Sequence, residues 1–374
     1  MPHAANIYRL GIKELWSLVR DPIMLALIAY TFTVSIYVAA TAVPETLHRT
    51  PICIVDEDRS PLSARIAAAF YPPRFHPPAM IPLADIDSGM DAGAFTFALD
   101  IPPDFQRDVL AGKSPAIQLN VDATRMSQAF SGSIYVQQIV LDEVNDFKQR
   151  YRGSAAPPVD LALRELFNPN LEQWWFGALT EIINNVTMLA VILTGAALIR
   201  EREHGTIEHL LVMPVTPGEI MLAKIWAMGL VVLLAAAVGL LFVVQGVLRV
   251  PIAGSVPLFL AGTAMHLFAV TSLGIFMATL ARSMPQFGML VVLILLPLQL
   301  LSGGFTPRES MPQFVQNVML AAPTTHFVIL GQAILFRGAG LGTVWPQFLT
   351  LAGIGSVLFT IALHRFRKTI SQTT

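Results

Sequence analysis

The chain consists of long apolar stretches separated by short charged ones. Seven stretches lack Asp, Glu, Lys and Arg, and they cover residues 22–44, 182–199, 225–248, 250–281, 283–307, 310–336 and 338–364. Each is near or above the roughly 20 residues that a helix needs to cross a bilayer. A polar, proline-rich region at 45–172 separates the first stretch from the others. The pattern predicts an α-helical polytopic membrane protein with one inserted soluble domain.

The stretch at 310–336 differs from the other six because it is rich in polar side chains. Such groups are costly against lipid, since hydrocarbon offers them no hydrogen-bond partner. We therefore predict six transmembrane helices, with a re-entrant helical pair at 303–336 before helix 6, rather than seven spans. The residues that break the apolar pattern are Pro312, Gln313, Gln316, Asn317, Pro323, Thr324, Thr325 and His326.

Basic residues indicate the orientation, because short cytoplasmic loops carry an excess of Lys and Arg. With six spans both termini lie on one side, and that side holds most of the basic residues. We expect a multi-pass protein of the bacterial inner membrane with both termini in the cytoplasm and the 45–172 region outside it. The residues on the expected inner side are Arg9, Lys13, Arg20, Arg200, Arg202, Lys224, Arg282, Arg365, Arg367 and Lys368, against Arg249, Arg308 and Arg337 outside.

The polar region alternates strand and helix patterns, which predicts an α/β extracytoplasmic domain between helices 1 and 2. Ser60 is the expected N-cap of its first helix, and Gly112 is expected to end its second. The predicted strands are 51–55, 95–101 and 116–123, and the predicted helices are 60–70, 104–112 and 127–152.

The domain boundaries follow from these patterns. Apolar residues on one face of Asn6–Pro22 predict an amphipathic helix at the cytoplasmic surface, interrupted by Pro22; a plain extension of the first span is the alternative. The predicted divisions are 1–22 for the amphipathic N-terminal helix, 23–44 for transmembrane helix 1, 45–173 for the extracytoplasmic domain and 174–374 for helices 2–6, with a cytoplasmic segment at 200–224 and the outer re-entrant segment at 303–336.

Composition supports the membrane assignment and limits the ligands. Only 13% of the residues are charged, about half of what a soluble protein carries. The net charge of -1 argues against nucleic acid as the main ligand. The single cysteine, Cys53, allows no intramolecular disulfide and is expected to be buried in the apolar run "PICIV".

Catalytic motifs are absent from the sequence. There is no G-x-S-x-G, H-E-x-x-H or C-x-x-C pattern. "LSGG" at 301–304 imitates the signature loop of ABC-type ATPases, and "AGKS" at 111–114 imitates a phosphate-binding loop, but Arg107 stands where that loop needs glycine. The acidic run "DEDRS" at 56–60 fits either a divalent-cation site or a loop that caps the next helix. We expect neither an enzyme nor a nucleotide or metal bound by this chain.

The segment "IREREHGTIEHLLVMPVTPGEIMLAKIWAMGL", 199–230, is the most informative one. We predict a short mixed-charge helix from Glu201 to Val212, broken by Pro214, and a second helix started by Thr216, Pro217 and Glu219. "TIEHLLVM" is apolar for an exposed loop, which favours a docking face over a solvated loop. The charged side chains of this elbow are expected to face a partner.

This segment resembles the coupling segment of the type-2 ABC transporter permeases. "LGIKELWSLVRDP" before the first span, "PLQLLSGGFTPRESMP" and "PTTHF" extend the resemblance over essentially the whole chain. It implies one half of a permease dimer, driven by a separate cytoplasmic ATPase subunit that binds ATP and Mg. The residues that it places at the ATPase contact are Glu201, Arg202, Glu203, His204, Gly205, Thr206, Glu208, His209 and Pro214.

Polar residues inside the predicted spans are candidates for a substrate path, because ionisable groups within spans are functional hypotheses by default. Those of span two are expected on or near one face. The alternatives are an interfacial position for Glu181 and simple helix–helix contacts for the amides. The candidates are Glu181, Asn184, Asn185, Thr187, His266 and Gln299.

The function predicted from the sequence is the permease subunit of an ABC exporter for a hydrophobic or amphipathic substrate. Its expected partners are an ABC ATPase, a second permease of like or unlike sequence, membrane lipid and, if the external domain binds one, a periplasmic adaptor. The alternative is a membrane-anchored receptor or scaffold whose external domain senses a ligand. The apolar docking face speaks against that alternative, because an anchor needs none.

Overall fold

The computed structural model describes residues 2–41, 50–122, 126–152, 173–203, 215–304 and 308–371. The chain divides into two compact units. A helical unit comprises Met1–Ala42 and Glu165–Thr374, and an α/β unit comprises Val43–Arg164. Most of the polar region therefore forms a compact unit of its own.

The helical unit begins with two helices that meet at a sharp break. Helix α1 spans Pro2–Val19, and α2 spans Pro22–Thr41 with a π-helical stretch at Thr31–Ser35. Asp21 caps α2 by accepting a hydrogen bond from the Met24 amide at 3.1 Å, and Pro22 occupies the first turn. The predicted interruption at Pro22 is confirmed, because proline is favoured at a helix start and cannot continue α1.

The α/β unit contains a sheet with the strand order β2-β1-β3-β4. Its strands are β1 (Ile52–Asp56), β2 (Ala79–Met80), β3 (Phe97–Ile101) and β4 (Gln118–Val121). Strand β1 is parallel to β2 and β3, and β4 is antiparallel to β3. The central strands β1 and β3 are apolar and almost wholly buried, as parallel strands covered on both faces require.

Helices cover both faces of this sheet, and side-chain alternation gives each face its own core. Ile52, Ile54 and Leu99 belong to one core, and Cys53 and Val55 to the other. Ser60 and Ser63 form a reciprocal capping box at the start of the first helix. The helices are α3 (Pro61–Ala68), α4 (Ile86–Asp91), α5 (Phe105–Leu110) and α6 (Met126–Arg152), with a 3₁₀ turn at Leu83–Asp85.

Four apolar helices follow in the helical unit. They are α7 (Gln173–Glu203), α8 (Pro217–Val247), α9 (Val256–Leu280) and α10 (Met284–Leu300). Thr216 and Glu219 form the predicted capping box at the start of α8. Helix α9 packs against α7, α8 and α10 and is the centre of this unit.

The last part of the helical unit contains the polar stretch 310–336, for which a re-entrant helical pair was predicted. It forms α11 (Gln313–Met319) and α12 (Pro323–Leu335), which meet at an angle of 90°, after a 3₁₀ turn at Arg308–Ser310. The final helix is α13 (Leu341–Ser371), and both α12 and α13 pack on α9. The described residues hold five helices long and apolar enough to cross a membrane, or up to six if the bent pair is one span. This content is that of a polytopic membrane protein, and α10 is shorter than the other predicted spans.

Candidate functional site

A buried lysine joins three helices at one end of the helical unit. Lys224, on α8, has only 1% of its surface exposed. Its Nζ lies 2.9 Å from Glu14 Oε1 on α1 and 2.8 Å from Glu201 Oε2 on α7. A buried ammonium is tolerated when carboxylates pair with it, so this contact fixes α1, α7 and α8 to one another.

A second lysine completes this cluster, which we call the charged end: Lys13, Glu14, Glu201 and Lys224. Lys13 Nζ lies 2.6 Å from Glu201 Oε1 and 3.5 Å from Glu14 Oε1. Burial lowers the pKa of Lys13, but Glu201 and Glu14 outweigh burial and hold that pKa above its usual value. The two carboxylates are thus balanced by two ammonium groups.

An ion pair beside the charged end holds the junction of α1 and α2. Arg200 Nη1 lies 2.6 Å from Asp21 Oδ2. The Met24 amide, together with Arg200, holds the pKa of the Asp21 carboxyl below its usual value. Asp21 therefore both caps α2 and ties the junction to α7.

Helix α1 also rests on α8 through an aromatic contact. The Tyr8 and Trp226 rings are parallel, with their centroids 6.1 Å apart. Trp226 Nε1 donates to the Ile7 carbonyl at 3.1 Å. Gly11 leaves room for the indole, because a side-chain carbon at this position would overlap the Trp226 ring.

The residues on either side of the segment 204–214 are anchored to other helices or cap a helix. Arg202, before it, donates to the carbonyls of Ala281 and Ala278, while Glu203 accepts from the Met284 amide at 3.0 Å. After it, Thr216 and Glu219 cap α8, and Glu219 accepts from Asn6 at 3.4 Å. The segment therefore runs between two helix ends that are themselves tied to α1, α9 and α10.

The structure corrects two expectations about this region. Residues Glu201 to Glu203 form the last turn of α7, so no new helix starts at Glu201. Glu201 is also buried, with 9% of its surface exposed, and faces Lys13 and Lys224 rather than a partner. The sequence placed Glu201 at a partner contact because the two lysines that pair with it come from distant parts of the chain. Arg202 and Glu203 contact the end of α9 and the start of α10. The remaining predicted contact residues, namely His204, Gly205, Thr206, Glu208, His209 and Pro214, lie outside the described residues.

A polar contact lies deep among the spans. Thr187 Oγ1 on α7 and His266 Nε2 on α9 are 2.8 Å apart, and both side chains are buried. The imidazole also stacks on Phe327 of α12, with ring centroids 4.1 Å apart. Three helices therefore meet at the predicted residues Thr187 and His266.

The other polar candidates point elsewhere. Glu181 accepts from Ser35 at 2.6 Å, and Asn185 donates to the Thr31 carbonyl at 2.9 Å, so both face α2. The expectation that the span-two candidates share one face is wrong, because Thr187 faces α9 instead. Gln299 on α10 donates to the backbone carbonyl of Asn184 at 3.3 Å.

The sequence motifs that imitate ligand sites have structural roles. Asp56 accepts from the Arg59 amide and from Ser63, and Asp58 accepts from the Gln106 amide, so this loop caps helices. Gly112 ends α5 with a positive φ of 81°. Within the described ranges, no group of three or more His, Cys, Asp or Glu side chains could hold a metal ion.

Comparison with known proteins identifies the family. A family model described as "ABC-2 family transporter protein" matches residues 22–364. The chain is 64% identical over 370 residues to the inner membrane transport permease YhhJ of Escherichia coli K12, covering 99% of both chains. It is 27% identical over 368 residues to the probable multidrug ABC transporter permease YbhR of the same organism, covering 98% of this chain and 99% of YbhR. This chain therefore belongs to the ABC-2 family of transporter proteins.

Proposed function

We propose that this chain is the permease subunit of an ATP-driven exporter, powered by a separate ATPase subunit. The observation that carries the proposal is the charged end together with the anchored helix ends at Glu203 and Thr216, which flank 204–214 in the sequence. ATP and Mg bind to the ATPase, and its movements reach the permease through this segment.

The proposed topology has six spans, formed by α2, α7, α8, α9, α10 and α13, with α11 and α12 as a re-entrant pair. The charged end then lies at the cytoplasmic surface, with both termini in the cytoplasm and the α/β unit outside. The distribution of basic residues supports this orientation. Single cysteines in a Cys53→Ser background test it: a membrane-impermeant maleimide should label residue 113 in intact cells and should not label residue 368.

Coupling follows from the contacts of the residues that flank 204–214. When the ATPases close, a push on 204–214 moves the end of α7 and the start of α8, and Lys224 carries α1 with them. The permease works as a dimer with a second permease, and a periplasmic adaptor is its proposed outer partner. The polar residues among the spans, Thr187 and His266 first, are proposed to face the path when the helices shift.

The proposed cargo is hydrophobic or amphipathic. The spans carry few charges, which suits an apolar path better than an aqueous one. One relative is named a probable multidrug ABC transporter permease, which supports the same class.

The test is ATP hydrolysis and dye efflux in proteoliposomes that contain the chain and an ABC ATPase that co-purifies with it. His204→Ala with Glu208→Ala should lower stimulated hydrolysis and efflux by about tenfold or more, because both side chains belong to the proposed contact. Glu309→Ala, an exposed acid in another loop, is the matched control and should match the parent. If no ATPase associates, or if the double variant hydrolyses ATP and exports dye as the parent does, the proposal is wrong. The alternative of a membrane-anchored receptor is then favoured.

A further inference from the structure

The α/β unit contains a cavity of about 440 Å³ that the transport mechanism does not use. It lies between β3, β4, α5 and α6. Its floor is formed by Leu99, Phe105, Val109 and Val136, all at most 3% exposed. The cavity thus opens directly onto the hydrophobic core of this unit.

The walls of the cavity are apolar as well. Val136, Val140 and Val144 are spaced by four residues along α6, so they line the cavity from one helical face. Ile117 and Leu119 form the opposite wall on the side of β4. Val140, Val144, Ile117 and Leu119 are only partly buried, which leaves a concave apolar surface open to a ligand.

Among the described residues that line the cavity, the two charged ones are both basic. They are Lys113, after α5, and Lys148, near the end of α6. Lys113 forms an exposed ion pair with Asp108 at 3.1 Å, whereas Lys148 has no ion pair among the residues that the structure describes. Because none of the described residues that line the cavity is acidic, its mouth favours a negative charge.

We propose that this cavity binds an anionic amphiphile with a single alkyl chain. The chain lies between α6 and β4, and the anionic head meets Lys148 and Lys113. The volume falls within the roughly 300–1,000 Å³ of small-molecule sites. Exposed Leu141 beside the mouth extends the apolar contact. The proposal concerns binding by the α/β unit and does not depend on the proposed export function.

Photo-crosslinking of the full chain in lipid nanodiscs tests this site. The probe is lauric acid with a diazirine at the end of its chain, and crosslinked peptides are identified by mass spectrometry. We expect crosslinks to the wall residues of α6 and β4. Val140→Trp should reduce them at least about fivefold, because the indole fills the cavity. Ile134→Trp, on an exposed part of α6 that does not line the cavity, is the matched control and should leave them unchanged.

Competition tests the charge preference. Unlabelled laurate should displace the probe at a concentration about tenfold lower than dodecyltrimethylammonium, whose alkyl chain is one carbon longer and whose charge is opposite. Lys148→Glu should remove that preference, while circular dichroism verifies the fold of each variant. Crosslinks that avoid the cavity, equal displacement by both competitors, or equal labelling of the Val140→Trp variant would each overturn the proposal. Labelling that is blocked only by an added periplasmic adaptor, and not by laurate, would assign the cavity to a protein partner instead.

Discussion

Replacement of Lys224 by methionine tests whether the charged end fixes α1, α7 and α8 to one another. Methionine keeps the length and most of the volume of the side chain but removes its charge. Glu14 and Glu201, which lie 2.9 and 2.8 Å from the ammonium, then remain buried without it. The variant therefore isolates the ion pairs from the packing.

The expected cost is large because both carboxylates are almost fully buried. Removing one partner of a buried ion pair costs about 3–5 kcal/mol, since the remaining charge is left uncompensated. Lys13 still lies 2.6 Å from Glu201, which moderates the loss. We therefore expect Lys224→Met to lower the free energy of unfolding by about 3 kcal/mol.

The assay is equilibrium unfolding in mixed micelles with increasing dodecyl sulfate, followed by tryptophan fluorescence. The combined variant Glu14→Gln, Glu201→Gln, Lys224→Met removes all three charges and should recover at least about half of the loss. Lys368→Met, at an exposed lysine of the same unit, should change the stability by less than about 0.5 kcal/mol. If Lys224→Met lies within about 1 kcal/mol of the parent, or if the combined variant is no more stable than the single one, the ion pairs do not hold this end together.

Three further predictions concern single positions. Gly11→Ala should detach α1, because the added methyl group overlaps the Trp226 ring, and Trp226→Leu in the same chain should restore protection of α1 from proteolysis. Cys53 should resist iodoacetamide at pH 8 in the native protein and react after denaturation, because burial raises its pKa to about 11; rapid native labelling would contradict this. Thr187→Val should cost about 1–3 kcal/mol of unfolding free energy, because it leaves the imidazole of buried His266 without its hydroxyl partner, whereas Thr187→Ser should cost less than half as much.

Local features of the sequence predicted the local structure well. Thr216, Pro217 and Glu219 carry the start signal of α8, and Ser60 that of α3, because caps depend on residues within one helical turn. The helix break at Pro22 was predictable for the same reason. Strand β2, with two residues, was missed, since a short edge strand leaves no periodic pattern.

The contacts of the site could not be predicted from local patterns. Lys224 and Glu14 are 210 positions apart, and no local sequence pattern near either residue predicts their contact. Glu201 stands in a charged run that is typical of solvent, yet two lysines from other helices allow its burial. Likewise, the 3.6-residue period placed Thr187 near the other polar residues of α7, but only the packing of α9 shows which neighbour it contacts.

The charged end also predicts how transport fails when it is damaged. If the end moves as one body, a push on 204–214 displaces α1, α7 and α8 together, because separating their buried charges costs several kcal/mol. Lys224→Met weakens that connection without altering the segment itself. In proteoliposomes it should therefore keep ATP hydrolysis within about twofold of the parent and lose most dye efflux, whereas His204→Ala with Glu208→Ala should lose both. Parallel loss of hydrolysis and efflux in Lys224→Met would show that the charged end supports ATPase docking rather than transmission.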